Sequence, residues 1–137
     1  MRKILSLFLS IAIILTTGIN AKIDATSNGV QAAWLTTAWS LDWPKTKKNS
    51  TAQKNELIKI LDTLKDTGIN TVMFQVRPYG DAMYKSSINP WSKELTGTQG
   101  KDPGYDPLAF IIQEAHTRGM KVHAWSVSYT HLTLPTI

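Results

Sequence analysis

The side chains best suited to chemistry lie beside the predicted ends of three strands. They are Asp42, Gln75, Arg77, Asp81, His123 and Trp125. Carboxylate and imidazole groups can exchange protons, amide and guanidinium groups can donate hydrogen bonds, and an indole can stack on the apolar face of a ring. Strand ends that meet at one edge of a sheet commonly form a binding site. We therefore predict that these six residues bind a substrate.

A structural role is the alternative at each of these positions. Asp42 can cap the loop that follows the first strand, and Arg77 can form an ion pair with Asp81. His123 can be a hydrogen-bonded buried histidine, and Trp125 can belong to the core. The residue types alone leave both interpretations open.

Several cofactor classes are excluded by residues that the sequence lacks. There is no cysteine, which removes disulfides, thiol catalysis, cysteine-bound metal and a lipid-modified cysteine. Three histidines without ligand spacing do not predict a metal site. Neither Gly-x-Gly-x-x-Gly nor Gly-x-x-x-x-Gly-Lys is present, so the sequence predicts no nucleotide cofactor.

The first 21 residues have the layout of a secretory signal peptide. Arg2 and Lys3 precede an almost wholly apolar run over residues 4–15, and small residues follow up to Ala21. The alternative is a membrane anchor, but the run is shorter than the ~20 apolar residues that span a bilayer. We expect cleavage after Ala21 or Gly18, export to the periplasm or the medium, and no stable membrane anchor afterwards.

The basic charge does not indicate a nucleic-acid partner. The formal net charge is +5, and removal of Arg2 and Lys3 with the signal peptide leaves +3. Lys45, Lys47 and Lys48 cluster in one loop without the interleaved aromatic residues that stack on bases. A solvated loop is the simplest interpretation, and a weak attraction for anionic wall polymers is the alternative.

Alternating strand and helix patterns follow a short lead-in over residues 22–29. Ser50 with Gln53 fits a capping box, Asp106 is placed as an N-cap, and Gly68 and Gly119 are placed as helix stops. Alternation of this kind predicts an α/β fold with a parallel sheet, either a barrel or a doubly wound sheet. Strands are predicted over residues 30–38, 71–77 and 121–125, and helices over 51–67 and from 106 to just before 119.

Residues 30–125 resemble the glycosyl-hydrolase-like family 10, a secreted bacterial family. The motifs that carry the resemblance occur in the same order and spacing as in the family. They are Ala32-Ala33-Trp34, Leu41-Asp42-Trp43-Pro44, Gln75-Val76-Arg77-Pro78 leading to Asp81-Ala82 and Tyr84, Pro90-Trp91-Ser92, Leu95-Thr96-Gly97, Gln99-Gly100, Pro103-Gly104-Tyr105-Asp106-Pro107-Leu108, His116, Arg118-Gly119 and His123-Ala124-Trp125.

The resemblance implies a (β/α)8 TIM barrel, of which this chain holds the first three strands. It also implies a glycoside hydrolase that acts on bacterial cell-wall glycan or a related polysaccharide, bound across the carboxyl ends of the strands. Glycoside hydrolysis usually needs two carboxyl groups. Asp42 and Asp81 are the only carboxylates expected near strand ends, and neither is placed as an acid or a nucleophile, so no catalytic residue is assigned.

Two alternatives to a hydrolase stay open. One is a secreted barrel that binds glycan without cleaving it, and the other is a wall-associated barrel that only supports partners. Residues 126–137 resemble translated sequencing-adapter sequence, so we expect them to be a non-native tail. Three strands of a barrel that needs about 250 residues would be inactive and prone to aggregate, because they leave sheet edges and apolar surface uncovered.

Overall fold

The computed structural model describes residues 29–127. The predicted signal peptide, nearly all of the lead-in and most of the predicted tail lie outside these residues. Three strands alternate with two long helices. One short helix lies between the second strand and the second long helix. The elements are β1 (Ala32–Leu35), α1 (Ser50–Asp66), β2 (Thr71–Arg77), α2 (Lys93–Thr96), α3 (Pro107–Thr117) and β3 (Lys121–Ser126), with a 3-10 turn at Ala38–Ser40 between β1 and α1.

The strands form one parallel sheet in the order β1-β2-β3, as the alternating pattern predicts. Trp34 of β1 is in register with Met73 of β2, and Met73 is in register with His123 of β3. The register shifts between Gln75 and Arg77, at the carboxyl end of β2. An irregularity of this kind re-aims the side chains beside it, so the shift sets the direction of Arg77.

Helices α1 and α3 cover one face of the sheet. Val72, Phe74 and Val76 alternate along β2 and are buried on this face, as their spacing predicts. The indole of Trp43 packs 5.9 Å from the ring of Phe74 and donates a 2.9 Å hydrogen bond to the carbonyl oxygen of Gln53. The remaining core side chains from the two helices are Leu57, Leu61, Ile111 and Ala115.

Strand β1 is shorter than the predicted strand over residues 30–38. It ends at Leu35, because the chain then turns toward β2 instead of continuing the ladder. The backbone N–H groups of Thr37 and Ala38 both donate to Oε1 of Gln75, each over 2.8 Å. A side chain from the neighbouring strand thus replaces the ladder hydrogen bonds.

The helix ends follow three of the four predicted signals. Asp106 caps α3 by accepting a 3.0 Å hydrogen bond from the backbone N–H of Ala109. Gly68 and Gly119 both have positive φ just beyond their helices, where a residue with a Cβ would be strained. The predicted capping box of Ser50 and Gln53 was wrong, because Asn49 is the N-cap of α1.

The long segment over residues 78–105 is anchored along its length. It contains α2, and Ala82 and Trp91 form an isolated parallel bridge. The Gln53 amide, which the capping box would have used, instead donates to the carbonyl oxygen of Leu95 over 2.7 Å and accepts from the Tyr105 hydroxyl over 2.8 Å. Gln53 therefore ties this segment to α1.

Candidate functional site

Gln75 organises the loop that follows β1. Its side chain is 3% exposed, and Oε1 accepts from the backbone N–H groups of Thr37 and Ala38. The Thr37 hydroxyl donates to the carbonyl oxygen of Gln75 over 2.9 Å. Within residues 29–127, the amide nitrogen of Gln75 donates no hydrogen bond, and its contact with a substrate stays a prediction.

Asp42 closes the same loop on itself. Its Oδ2 accepts a 2.7 Å hydrogen bond from the backbone N–H of Thr36, while the residue stays exposed. The Lys45 ammonium donates to the carbonyl oxygens of Ser40 and Leu41. Asp42 therefore makes a hydrogen bond that stabilises the loop, which was the alternative to substrate binding. Substrate binding by Asp42 stays a prediction.

Arg77, the last residue of β2, and Asp81, in the loop that follows, both have buried polar atoms. The Arg77 guanidinium donates to the Gly80 carbonyl oxygen at 3.3 Å and to Oδ1 of Asn89 at 3.1 Å. Asp81 is 1% exposed and accepts a 3.2 Å hydrogen bond from the Tyr79 backbone N–H. Nε of Arg77 and Oδ2 of Asp81 are buried without a hydrogen-bond partner.

The ion pair between Arg77 and Asp81, which the sequence left open, does not form. Among the residues that the structure describes, the ion pairs join Lys47 to Glu94 and Arg118 to both Asp62 and Glu114. Arg77 instead fixes the turn through a carbonyl and an amide oxygen. Substrate contact by Arg77 or Asp81 stays a prediction.

His123 and Trp125 lie on the sheet face that the helices leave open. His123 is exposed and Trp125 is half-buried. The Trp125 ring meets the ring of Trp34 edge to face, with centroids 4.8 Å apart, and Trp34 is 61% exposed. Trp125 is in register with Gln75. The structure thus brings Gln75, His123 and Trp125 to one face of the sheet.

A third carboxylate, Glu94, lies beside the loop after β1, so the expectation that only Asp42 and Asp81 lie near strand ends was wrong. Its Oε2 accepts from the Ser40 hydroxyl at 2.7 Å and pairs with the Lys47 ammonium at 3.0 Å. Glu94 lies in α2, within a segment that has no helical periodicity to reveal it. A capping signal was available, because the Ser92 hydroxyl accepts from the Glu94 backbone N–H.

Trp39 is the second residue that sequence reasoning missed. It is 77% exposed, and its backbone N–H donates a 2.6 Å hydrogen bond to the phenol oxygen of Tyr79. The two rings meet edge to face with centroids 5.7 Å apart. No pattern in the sequence marks Trp39, because its position depends on a backbone turn made by distant contacts.

These contacts set the chemistry that the site offers. Aromatic faces, an amide nitrogen and a phenol surround the ends of β1 and β2, which suits a neutral polar ligand. Among residues 29–127, no group of histidine and carboxylate side chains is arranged to hold a metal ion. In the same range no helix has the length and apolar character needed to cross a membrane.

A family comparison decides between the two fold types that the strand order leaves open. The sequence profile of the family described as "Glycosyl hydrolase-like 10" matches residues 29–135. The chain belongs to this family. Its three parallel strands and the two long helices between them are therefore part of a glycosidase-family α/β barrel, as the resemblance implied.

Curated relatives in the glycosyl hydrolase-like 10 family are much longer than this chain. One is "Glycosyl hydrolase YngK" of Bacillus subtilis (strain 168), 48% identical over 101 residues, which are 73% of this chain and 20% of that protein. Another is "Glycosyl hydrolase DigH" of Escherichia coli (strain K12), 46% identical over 117 residues, 80% of this chain and 27% of that protein. The chain thus spans about a fifth to a quarter of these relatives.

Proposed function

We propose that this chain is the N-terminal part of a secreted glycoside hydrolase that cleaves bacterial cell-wall glycan or a related polysaccharide. The observation that carries the proposal is 46–48% identity to two proteins named glycosyl hydrolases, over most of the chain. The placement of Gln75, His123 and Trp125 on one sheet face supports it, because barrel enzymes bind substrates at the carboxyl ends of their strands.

The three carboxylates near the strand ends, Asp42, Asp81 and Glu94, make structural contacts and do not form a catalytic pair. Glycoside hydrolysis uses one carboxyl group as the acid and a second as the nucleophile or base. Glu94 is engaged by Ser40 and Lys47, Asp42 accepts from a backbone N–H, and Asp81 is enclosed in its loop. We place the catalytic pair in later β/α units and expect the 137-residue chain alone to be inactive.

Secretion belongs to the same proposal. The basic start, the short apolar run and the small residues up to Ala21 support export to the periplasm or the medium. Export brings the enzyme to the glycan that it is proposed to cleave.

A secreted barrel that binds glycan without cleaving it is the second candidate. It is favoured by the aromatic and amide groups near the strand ends and by the structural contacts of all three carboxylates. The two candidates differ at the ends of the later barrel strands. A hydrolase requires a pair of carboxylates there, and a protein that only binds glycan does not.

The test uses the complete gene product, by which we mean the protein translated from the entire reading frame that contains this sequence. The purified protein is incubated with peptidoglycan freed of its peptides, and new reducing ends are counted over time. Release of reducing ends is the expected result. Glycan binding without release would support the second candidate instead, and the 137-residue chain in parallel should release none.

A further inference from the structure

Trp39 lies exposed on a strained turn at the carboxyl end of β1. Its side chain is 77% exposed, although an indole is among the side chains that gain most from burial. Trp39 and Ser40 have φ values of 53° and 54°. Left-handed backbone is unfavourable for residues with a Cβ, and such strain often occurs at functional sites.

Contacts from the segment after β2 hold this turn in place. The phenol oxygen of Tyr79 accepts from the Trp39 backbone N–H at 2.6 Å, and its ring supports the indole edge to face. The Lys93 ammonium lies 5.1 Å from the centre of the Tyr79 ring. The Ser40 hydroxyl donates to Glu94 at 2.7 Å. The turn is therefore held in place, while most of the indole surface stays exposed.

We propose that Trp39 and Tyr79 form a subsite that binds one pyranose ring of a glycan, with Trp39 stacking on the ring and Tyr79 donating to a hydroxyl group. This inference rests on the proposed function and extends it to residues that the sequence did not single out. The C–H groups on one face of a pyranose ring match an indole face. Its hydroxyl groups match a phenol donor.

The state of Tyr79 fits this role. Burial raises the pKa of Tyr79, the hydrogen bond from Trp39 lowers it, and the negative charges of Glu94 and Asp81 raise it further, with a net increase. The phenol thus keeps its proton at neutral pH. Its oxygen accepts from Trp39, and within residues 29–127 its proton is not used in a hydrogen bond, so it can be donated to a ligand.

Trp34, the other highly exposed tryptophan, has a different environment. It is 61% exposed on the open sheet face and packs against Trp125, where the interior of a closed barrel would cover it. Trp39 lies beyond the strand, on the loop at its carboxyl end. In barrel enzymes these loops surround the substrate, so closure of the barrel gives Trp34 a packing role and leaves Trp39 at the rim.

The experiment measures binding of an N-acetylglucosamine tetrasaccharide to the complete gene product by calorimetry. Trp39→Ala should weaken the affinity about tenfold, which corresponds to loss of one aromatic contact. Trp39→Phe should recover part of the affinity, because it keeps an aromatic face. Ile88→Ala is the matched control, since Ile88 is 88% exposed in the segment after β2 and should leave the affinity unchanged.

The outcomes separate this subsite from the proposed function. Unchanged affinity in Trp39→Ala, or equal losses in Trp39→Ala and Ile88→Ala, would overturn the subsite. A lower unfolding temperature in Trp39→Ala without a change in affinity would assign Trp39 to packing alone and would also overturn it. If the wild-type protein binds the tetrasaccharide but releases no reducing ends, the proposed hydrolase activity is contradicted and the proposed Trp39–Tyr79 subsite is not.

Discussion

The Ser40 hydroxyl donates a 2.7 Å hydrogen bond to Oε2 of Glu94, which joins the loop after β1 to α2. The same oxygen pairs with the Lys47 ammonium at 3.0 Å. Burial acts to raise the pKa of Glu94, but hydrogen bonds from Ser40 and Lys47 and the charges of Lys47 and Lys93 outweigh it, so the pKa lies below its ordinary value. Glu94 is therefore charged at neutral pH and holds the strained turn at Trp39.

Glu94→Gln should lower the free energy of unfolding of the complete gene product at pH 7 and have a smaller effect in acid. A carboxylate with a lowered pKa stabilises the fold above its ordinary pKa of 4.5, and the effect disappears as pH falls through the lowered value. Urea unfolding of both proteins at a series of pH values measures the difference between them.

The matched control for Glu94 is Glu114→Gln. Glu114 pairs with Arg118, four residues later, at 2.8 Å, and a partly exposed pair at this helical spacing contributes about 0.5 kcal/mol. We expect the Glu94 variant to lose more stability than the control at pH 7. An equal loss for Glu94→Gln at pH 7 and pH 3 would contradict the role given to its charge.

Gln75→Leu should destabilise the complete gene product by about 2 kcal/mol or more, because it leaves the buried N–H groups of Thr37 and Ala38 without an acceptor. Met73→Leu, on the same strand and face, preserves volume and should change stability by less than about 1.5 kcal/mol. Urea midpoints measure both variants. A Gln75 variant no less stable than the Met73 variant would show that Gln75 does not hold this loop.

Local patterns predicted the parts of the fold that depend on neighbouring residues. β2 has the bounds read from its alternation, and Asp106 caps α3 through the backbone N–H of Ala109. The end of β1 was predicted less well, because it is set by Gln75, which lies 38 residues along the chain from Thr37. A hydrogen bond over that separation leaves no periodic signal in the sequence.

The sequence placed Gln75, His123 and Trp125 near strand ends, and the structure adds that these three residues share one face of the sheet. Their contact with a substrate stays a prediction. The contacts of Glu94 and the exposure of Trp39 depend on how two loops meet. Residue type and spacing do not determine such an arrangement, so the sequence did not single out either residue.

Residues 22–137, expressed alone without the predicted signal peptide, should be insoluble or lack a cooperative unfolding transition. β1 and β3 each have one unpaired edge among the described residues, and Trp34 is exposed on the open face. Unpaired edges and exposed apolar side chains favour aggregation. Scanning calorimetry of the soluble fraction tests this, and a sharp cooperative melt of a monomer would contradict it.

The central claim is that these residues begin a barrel hydrolase whose catalytic carboxylates lie in later units, and the sequence of the source gene beyond the codon for Trp125 tests it most directly. We predict that the frame continues for roughly 150 residues or more, as a full barrel requires, with carboxylates at the ends of later strands. We also predict that, after the codon for Trp125, the source gene encodes residues other than those at 126–137 of this chain. A frame that ends at Ile137 in the source DNA would contradict the account.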